Sequence, residues 1–253
     1  MSQIPPSLSA IVLRYTDYGE ADRIVHLLTK EHGQVSAMVR GARTSTKKYS
    51  GLIDLGNIID VEFSSTQRDL WVIKKATGLQ SMLRTRTNLH KLAFLSYACE
   101  LVSMAAQAGN PEPKLFGLLH QLLKILEEED GVVGSRFRIA FEIKLLSFAG
   151  YMPQLSICPA CNKKIHDPAA IFYTEASAFH QSCLPSMESP EYSLALCDVA
   201  WLKSCSMALR TPMLDSLSVP MPSGPQWAFA EIITRQYQKK IQSRTFLQGI
   251  EST

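Results

Sequence analysis

The sequence predicts an α+β chain of several domains: a small N-terminal β-barrel, an α-helical part, and a metal-binding knuckle inserted among the helices. Three observations lead there. Short apolar segments of strand character, punctuated by turn signals, fill the first third. From Asn88 onward, apolar residues recur at three- and four-residue steps. Cys158-Pro-Ala-Cys161 is followed, after a spacer of 18 residues, by His180-Gln-Ser-Cys183.

The strand segments are expected at 10–15, 23–29, 34–40, 58–63 and 70–77. Between them stand Asp17-Tyr18-Gly19, His32-Gly33, Gly51 and Gly56-Asn57, all turn formers. Five short strands at this spacing suit an OB-fold barrel over residues 1–80, with an SH3-like barrel as the alternative. The segment Arg40-Gly-Ala-Arg43-Thr-Ser-Thr-Lys47-Lys48 carries four cations and no acid. Cations, hydroxyls and backbone N–H groups in one loop can follow a run of phosphates. Tyr49, or Tyr15 and Tyr18, could stack on bases. The same composition also describes an ordinary solvated loop.

Helices are expected at 88–107, capped by Asn88, at 112–129, and at 135–149, capped by Ser135. The acids of Glu127–Asp130 lie at the unfavourable end of the second helix dipole and call for a partner. The third helix is apolar on most faces, which marks it as central and buried. Its charges, Arg136, Arg138, Glu142 and Lys144, read as a solvent-facing edge or as the cationic rim of a groove for an acidic, aromatic-ended peptide. Helical pattern resumes at 198–209 and 226–242, so the helical domain spans 81–155 and 195–253, with the knuckle module at 156–194.

Two C-x-x-C-like pairs with this spacer suit a closed, four-ligand structural zinc site formed by Cys158, Cys161, His180 and Cys183. Pro159 and Pro168 favour the turns, and Ile171, Phe172 and Tyr173 a short strand between the pairs. His166 is a rival fourth ligand, and buried free thiols are the plainer alternative. Cys99, Cys197 and Cys205 sit in apolar runs and read as core residues.

With 253 residues, 46% hydrophobic, the chain can fill more than one core. A net charge of +3 allows local basic patches without deciding a partner. Six cysteines, with paired spacing, favour a reducing compartment with a metal over a disulfide framework. No leader and no run long enough to span a membrane is expected, which points to the cytoplasm. The H-x-E and H-E-x-x-H zinc-enzyme signatures are absent, as are G-x-S-x-G and the phosphate-binding G-x-x-x-x-G-K-[ST]. Glu100 and Glu142 have no histidine or second acid at a telling spacing. No enzymatic activity is expected. A zinc-ribbon RNA-binding or transcription module remains an alternative.

Several phrases in order carry a family resemblance: Ile11-Val-Leu13, Asp17-Tyr-Gly-Glu-Ala-Asp-Arg-Ile-Val25, Gly33, Arg40-Gly-Ala-Arg43, Phe137-Arg-Ile-Ala-Phe-Glu142, Gly150-Tyr-Met-Pro153, Cys158-x-x-Cys161 and Ser243-Arg-Thr-Phe-Leu247. Together they resemble the RecO family of bacterial recombinational repair proteins over nearly the whole chain. At the second knuckle the chain departs from the family pattern: Ser177-Ala178 replaces a glycine pair and His180 a cysteine. The resemblance implies a mediator that binds single- and double-stranded DNA and anneals complementary strands. It also implies contact with the acidic C-terminal tail of single-strand-binding protein, and help for RecR in loading RecA. On these grounds Arg40, Arg43, Lys47 and Lys48, with Arg14 and Arg23, are the candidate DNA contacts. Arg136, Arg138 and Lys144 are the candidate contacts for the protein tail.

Overall fold

The computed structural model describes residues 7–44, 49, 51–67, 70–130, 134–152, 154–166, 169–172, 177–183, 194–213, 215 and 220–251. They fall into two units, Met1–Gly131 with Gln242–Thr253, and Val132–Ile241. Among the described residues no helix is long and apolar enough to cross a membrane.

The first unit begins with five strands: β1 (Leu8–Tyr18), β2 (Asp22–Thr29), β3 (Gly33–Val39), β4 (Ile58–Gln67) and β5 (Leu70–Gln80). They close into a barrel in the order β1-β2-β3-β5-β4, with β4 returning to β1 and only β3 and β5 parallel. This is the OB-fold. Alternation places Ala10, Val12, Val25, Leu27, Ala37, Val39, Ile59 and Val61 in one interior cluster. A bulge between Val12 and Arg14 shifts the register of β1 against β2, which adds twist where the strand leaves the core.

Outside the barrel, Ile11, Leu13 and Leu28 are also buried. They do not belong to the interior cluster; α2 (Leu89–Ala105) packs on β1 and α3 (Pro113–Glu128) on β2. The β2–β3 turn joins this packing through the backbone. Glu112 N–H donates to Lys30 O, Gly109 N–H to His32 O, and Gln34 N–H to Gln107 O at 3.0–3.1 Å. Gly33 stands at the closest approach. Its φ is +58°, and a Cβ would lie 2.2 Å from Gln107 O.

Asn88 caps α2 as expected, its side chain accepting from Lys91 N–H at 3.1 Å. The buried Lys91 ammonium donates to the carbonyls of Leu126 and Glu129, at the C-terminal end of α3, where a cation is favoured. The acids at that end also find partners. The Glu127 carboxylate accepts from the N–H groups of Arg84 and Thr85 at 2.7 and 3.0 Å, in the short helix α1 (Leu83–Arg86). These bonds hold its carboxyl below the usual range although burial acts the other way. Asp130 pairs with Arg84.

The second unit is built on α4 (Ser135–Phe148), which packs against α5 (Val199–Arg210) and α6 (Ala228–Tyr237). Every residue from Phe137 to Leu146 is buried. The cap position is Gly134, not Ser135, which is the first helical residue, and no side chain caps the helix. A three-stranded sheet in the order β7-β6-β8 completes the unit: β6 (Ala169–Phe172), β7 (Ser177–His180) and β8 (Leu194–Cys197). Pro168 and Tyr173 lie outside the described residues.

The helix expected over 226–242 is two. Gln238 adopts a left-handed φ of 51° and ends α6, its N–H and that of Lys239 closing onto Arg235 O and Thr234 O. A new helix, α7 (Gln242–Glu251), belongs to the first unit and packs on α2. Its start is capped by Glu100, which accepts from Gln242 N–H and Ser243 N–H at 2.7 and 2.8 Å. Glu100 is therefore a helix cap.

Gly33→Ala is expected to destabilise the first unit by about 1–3 kcal/mol through the left-handed backbone alone, and further through the clash with Gln107 O. Urea denaturation followed by circular dichroism measures it.

Candidate functional site

At one rim of the barrel the end of β1, the start of β2 and the turn after β3 meet. Arg23 faces Asp17 across the β1–β2 ladder and Val39 across β2–β3. The turn after β3 is tied down by Gly41 N–H donating to the Asp22 carboxylate at 2.8 Å, and by Arg43 N–H donating to Ala21 O at 2.9 Å. Asp17 sits between two arginines, 2.8 Å from Arg23 and 3.4 Å from Arg43. Arg23 also lies over the Tyr15 ring, 4.4 Å from its centroid, and Arg43 donates to Gly19 O at 2.6 Å.

One carboxylate thus orders two guanidinium groups. Arg14 and Arg40 are exposed. Tyr15 and Tyr18 are 40% and 56% exposed beside them, which leaves ring faces open to stacking. Tyr49, the other stacking candidate, is inside the barrel core. Its ring fills the interior, so it is not a surface platform. Lys47 and Lys48 lie outside the described residues. Asp17 could not be recognised in advance as the organiser, because nothing in its spacing announces that two arginines converge on it.

On the outer face, His26 Nδ1 lies 3.0 Å from the Ser36 hydroxyl. Burial, and then the Arg14 guanidinium, hold its imidazole below the usual range.

In the second unit, the ligand atoms of Cys158, Cys161, His180 and Cys183 all lie within 4.8 Å of one another. His180 Nδ1 is 3.3 Å from Cys161 Sγ and 3.8 Å from Cys183 Sγ. Tetrahedral zinc with bonds of about 2.0–2.3 Å separates its ligands by roughly 3.5–3.8 Å, so the set fits such an ion. The knuckle turns sharply: Asn162 is left-handed, its N–H donates to Cys158 O at 2.8 Å, and Cys158 N–H donates to Lys163 O at 2.9 Å.

His180 Nε2 faces Lys164 O at 2.9 Å. That bond places the proton on Nε2 and leaves Nδ1 as the ligand atom, the usual outer-shell arrangement of a metal histidine. Burial alone would push the Cys158 thiol up, but the backbone N–H groups of His180, Cys161 and Ala160 bring it down to about 6. Cys183 moves the other way, through burial and the neighbouring thiols. Grouped sulfur and imidazole ligands of this kind can hold a metal ion. His166 is not one of the four; its ring lies against that of His180, centroids 4.0 Å apart. Cys99, Cys197 and Cys205 are buried thiols outside any disulfide, and burial pushes Cys99 up to about 12.

Three of the four charges of α4, Arg138, Glu142 and Lys144, are not at a surface edge but buried. Arg138 is fully buried, 3.0 Å from the Glu142 carboxylate. It donates to Gln226 O at 2.8 Å and lies over the Trp227 ring, 3.5 Å from its centroid. Lys144 donates to Leu209 O at 2.9 Å and to Thr211 O, and burial lowers its pKa. The cause is coverage: α5 and α6 close over the helix, so its charges must find partners inside. Of the three cations only Arg136 is exposed.

A family model described as Recombination protein O N terminal matches residues 1–82, and one described as Recombination protein O C terminal matches residues 86–218. The chain belongs to the RecO family. It is 34% identical over 179 residues to the DNA repair protein RecO of Pelobacter propionicus, across 71% of this chain and 72% of that one. Its identity to the DNA repair protein RecO of Anaeromyxobacter sp. is 29% over 245 residues, 96% of each chain. With that of Bacillus pumilus it is 35% over 154 residues, 61% of this chain and 59% of that one. The two family models divide the chain directly after β5, where barrel gives way to helix.

Two outcomes are expected at these sites. His180→Ala and Cys158→Ala should each abolish stoichiometric metal retention, measured by elemental analysis after dialysis, and chelation should lower the thermal stability of the second unit. Folded His26 takes up a proton less readily than unfolded His26. Its contribution is present above about pH 6.5 and is lost as pH falls. The melting temperature should therefore drop less steeply from about pH 7 to 5.5 in His26→Gln than in the wild type.

Proposed function

We propose that this RecO-family chain is a non-catalytic DNA repair mediator. It binds single- and double-stranded DNA, anneals complementary strands, and acts in the cytoplasm with RecR to help load RecA onto DNA coated by single-strand-binding protein. The observation that carries the reading is the barrel rim: exposed tyrosines and ordered arginines side by side on a fold that commonly holds nucleic acid strands. Arg14, Arg23, Arg40 and Arg43, with Lys47 and Lys48, meet phosphates, while Tyr15 and Tyr18 take up bases. Salt-bridging to Asp17 costs Arg23 and Arg43 little, because a guanidinium has five N–H donors and a carboxylate engages only some of them.

The division of labour we infer is a DNA-binding barrel over 1–80, a helical domain over 81–155 and 195–253, and a module over 156–194 whose metal is zinc. Three cysteines and a histidine leave no open position for a reacting water, so the zinc is structural. The other acids singled out in the sequence are already engaged, Glu100 as a cap and Glu142 with Arg138. For the tail of single-strand-binding protein, the candidate contact on α4 narrows to Arg136, the exposed member of its three.

Fluorescence anisotropy with labelled single-stranded DNA across a salt series tests the reading. Log affinity should fall with log salt by about 0.7 per phosphate contact. A variant with Arg40, Arg43, Lys47 and Lys48 changed to alanine should show a shallower slope. Absence of binding at low salt would overturn the reading, and a preference for RNA would favour an RNA-binding module.

A further inference from the structure

Beside the four gathered ligands stands one more group of metal-binding chemistry, the imidazole of His166. Its ring lies 4.0 Å from that of His180, centroid to centroid, and is tilted against it by 47°. The two rings are held differently. His180 is 2% exposed, and its Nε2 is engaged by Lys164 O at 2.9 Å. His166 is exposed, and among the described residues its side chain makes no hydrogen bond and no ion pair. Both imidazoles depend on one stretch of backbone, since the carbonyl that holds His180 belongs to the residue two before His166. That stretch is anchored to the first knuckle, where Ile157 and Lys164 bridge and Ile165 N–H donates to Ser156 O at 3.0 Å.

A four-ligand zinc site has no open position. Of this cluster, Cys158 and His180 are buried, and Cys161 and Cys183 are half-buried. An ion enclosed in this way leaves only when one bond yields to an incoming ligand, because four bonds do not break at once. Neutral imidazole is such a ligand, and His166 holds one against the site.

We propose that His166 is the exchange ligand of the metal module: it takes the place of His180 and carries the ion toward solvent. The inference rests on the reading above, in which the module holds zinc. In the swap a ring nitrogen of His166 gives its lone pair to the ion as His180 Nδ1 gives up its bond. The three thiolates stay bound, and no proton or electron changes hands. His180 keeps its Nε2–H on Lys164 O throughout, so it stays aimed at the site and the step reverses. The resting ligand is His180, because it has the outer-shell partner, and such partners are worth about 10–100-fold in metal affinity. The His166-bound arrangement is therefore the minor one, at roughly 1–10%. Ligands from solvent meet the ion there, at an exposed imidazole, and loading runs through the same steps in reverse.

The test is the rate of zinc release from the full, zinc-loaded chain to an excess of a colorimetric chelator. His166→Phe keeps a ring against His180 but has no nitrogen. It should release zinc about tenfold more slowly than the wild type, and load more slowly too. Zinc content at equilibrium, by elemental analysis, and melting temperature should be unchanged. His166→Ala should also be slow, and added imidazole should restore its rate, because the space left admits a free ring. His90→Phe, at an exposed histidine of the first unit, should exchange like the wild type.

Release from His166→Phe at the wild-type rate would overturn the proposal. So would faster release from His166→Ala than from the wild type, which would make the ring a shield over His180. Loss of equilibrium zinc from either variant would make His166 a resident ligand, and the proposal falls. A wild type that retains zinc while all variants exchange alike defeats this proposal alone. One that retains no zinc defeats the structural-zinc reading, and this inference with it.

Discussion

A five-stranded barrel cannot hide all the apolar side chains its strands carry. Alternation sends Ala10 and Val12 inward, but it sends Ile11 outward next to Leu28. Those outward residues are buried only because helices cover them. That requirement shapes the first unit. It brings α2 and α3 onto β1 and β2, and it draws the β2–β3 turn so close to the α2–α3 connection that only glycine fits at position 33. The covered face is unavailable to ligand. The rim where β1 outruns the core, with Tyr15, Tyr18 and the arginines ordered by Asp17, is left open, and the proposed DNA contact lies there.

The second unit meets a different constraint. A helix buried along ten consecutive residues, Phe137 to Leu146, still contains Arg138, Glu142 and Lys144. Each has its charge answered within the unit: Arg138 and Glu142 by one another, Arg138 also by an indole face, and Lys144 by the carbonyls that end α5. Removing one partner of such a pair leaves a buried charge uncompensated, which costs about 3–5 kcal/mol. These residues hold the helices in register, and solvent-facing chemistry falls to other surfaces. The sheet β6–β8 is only three short strands, and beside it Cys158, Cys161, His180 and Cys183 are gathered where a metal ion, if held, would supply closure that so small a core does not.

Much of this was legible in the sequence for identifiable reasons. The five strands are apolar and the first four are separated by glycine-bearing turns, so their number and positions could be read directly. The gathering of Cys158, Cys161, His180 and Cys183 could be read because knuckle spacing is a local property of the chain. What escaped depends on tertiary packing. Tyr49 looks like a neighbour of the basic loop, yet it turns into the barrel. Arg138 and Lys144 look like surface charges, because periodicity shows which faces are apolar but not that every face is covered. Gln238 breaks the last helical pattern through a left-handed residue that is not glycine. Glu100, 142 residues before the helix it caps, has no local signal at all. Nor does the carbonyl of Lys164, which orients His180 by a backbone atom.

The central claim is that single-stranded DNA lies on the barrel rim against Tyr15 and Tyr18. Photo-crosslinking tests it most directly: single-stranded DNA substituted with bromodeoxyuridine is irradiated on the intact chain and the linked peptides are read by mass spectrometry. The account predicts adducts on Tyr15 and Tyr18, lost when Arg40 and Arg43 are changed to alanine. Adducts confined to residues 132–241, with none on the barrel, would contradict it.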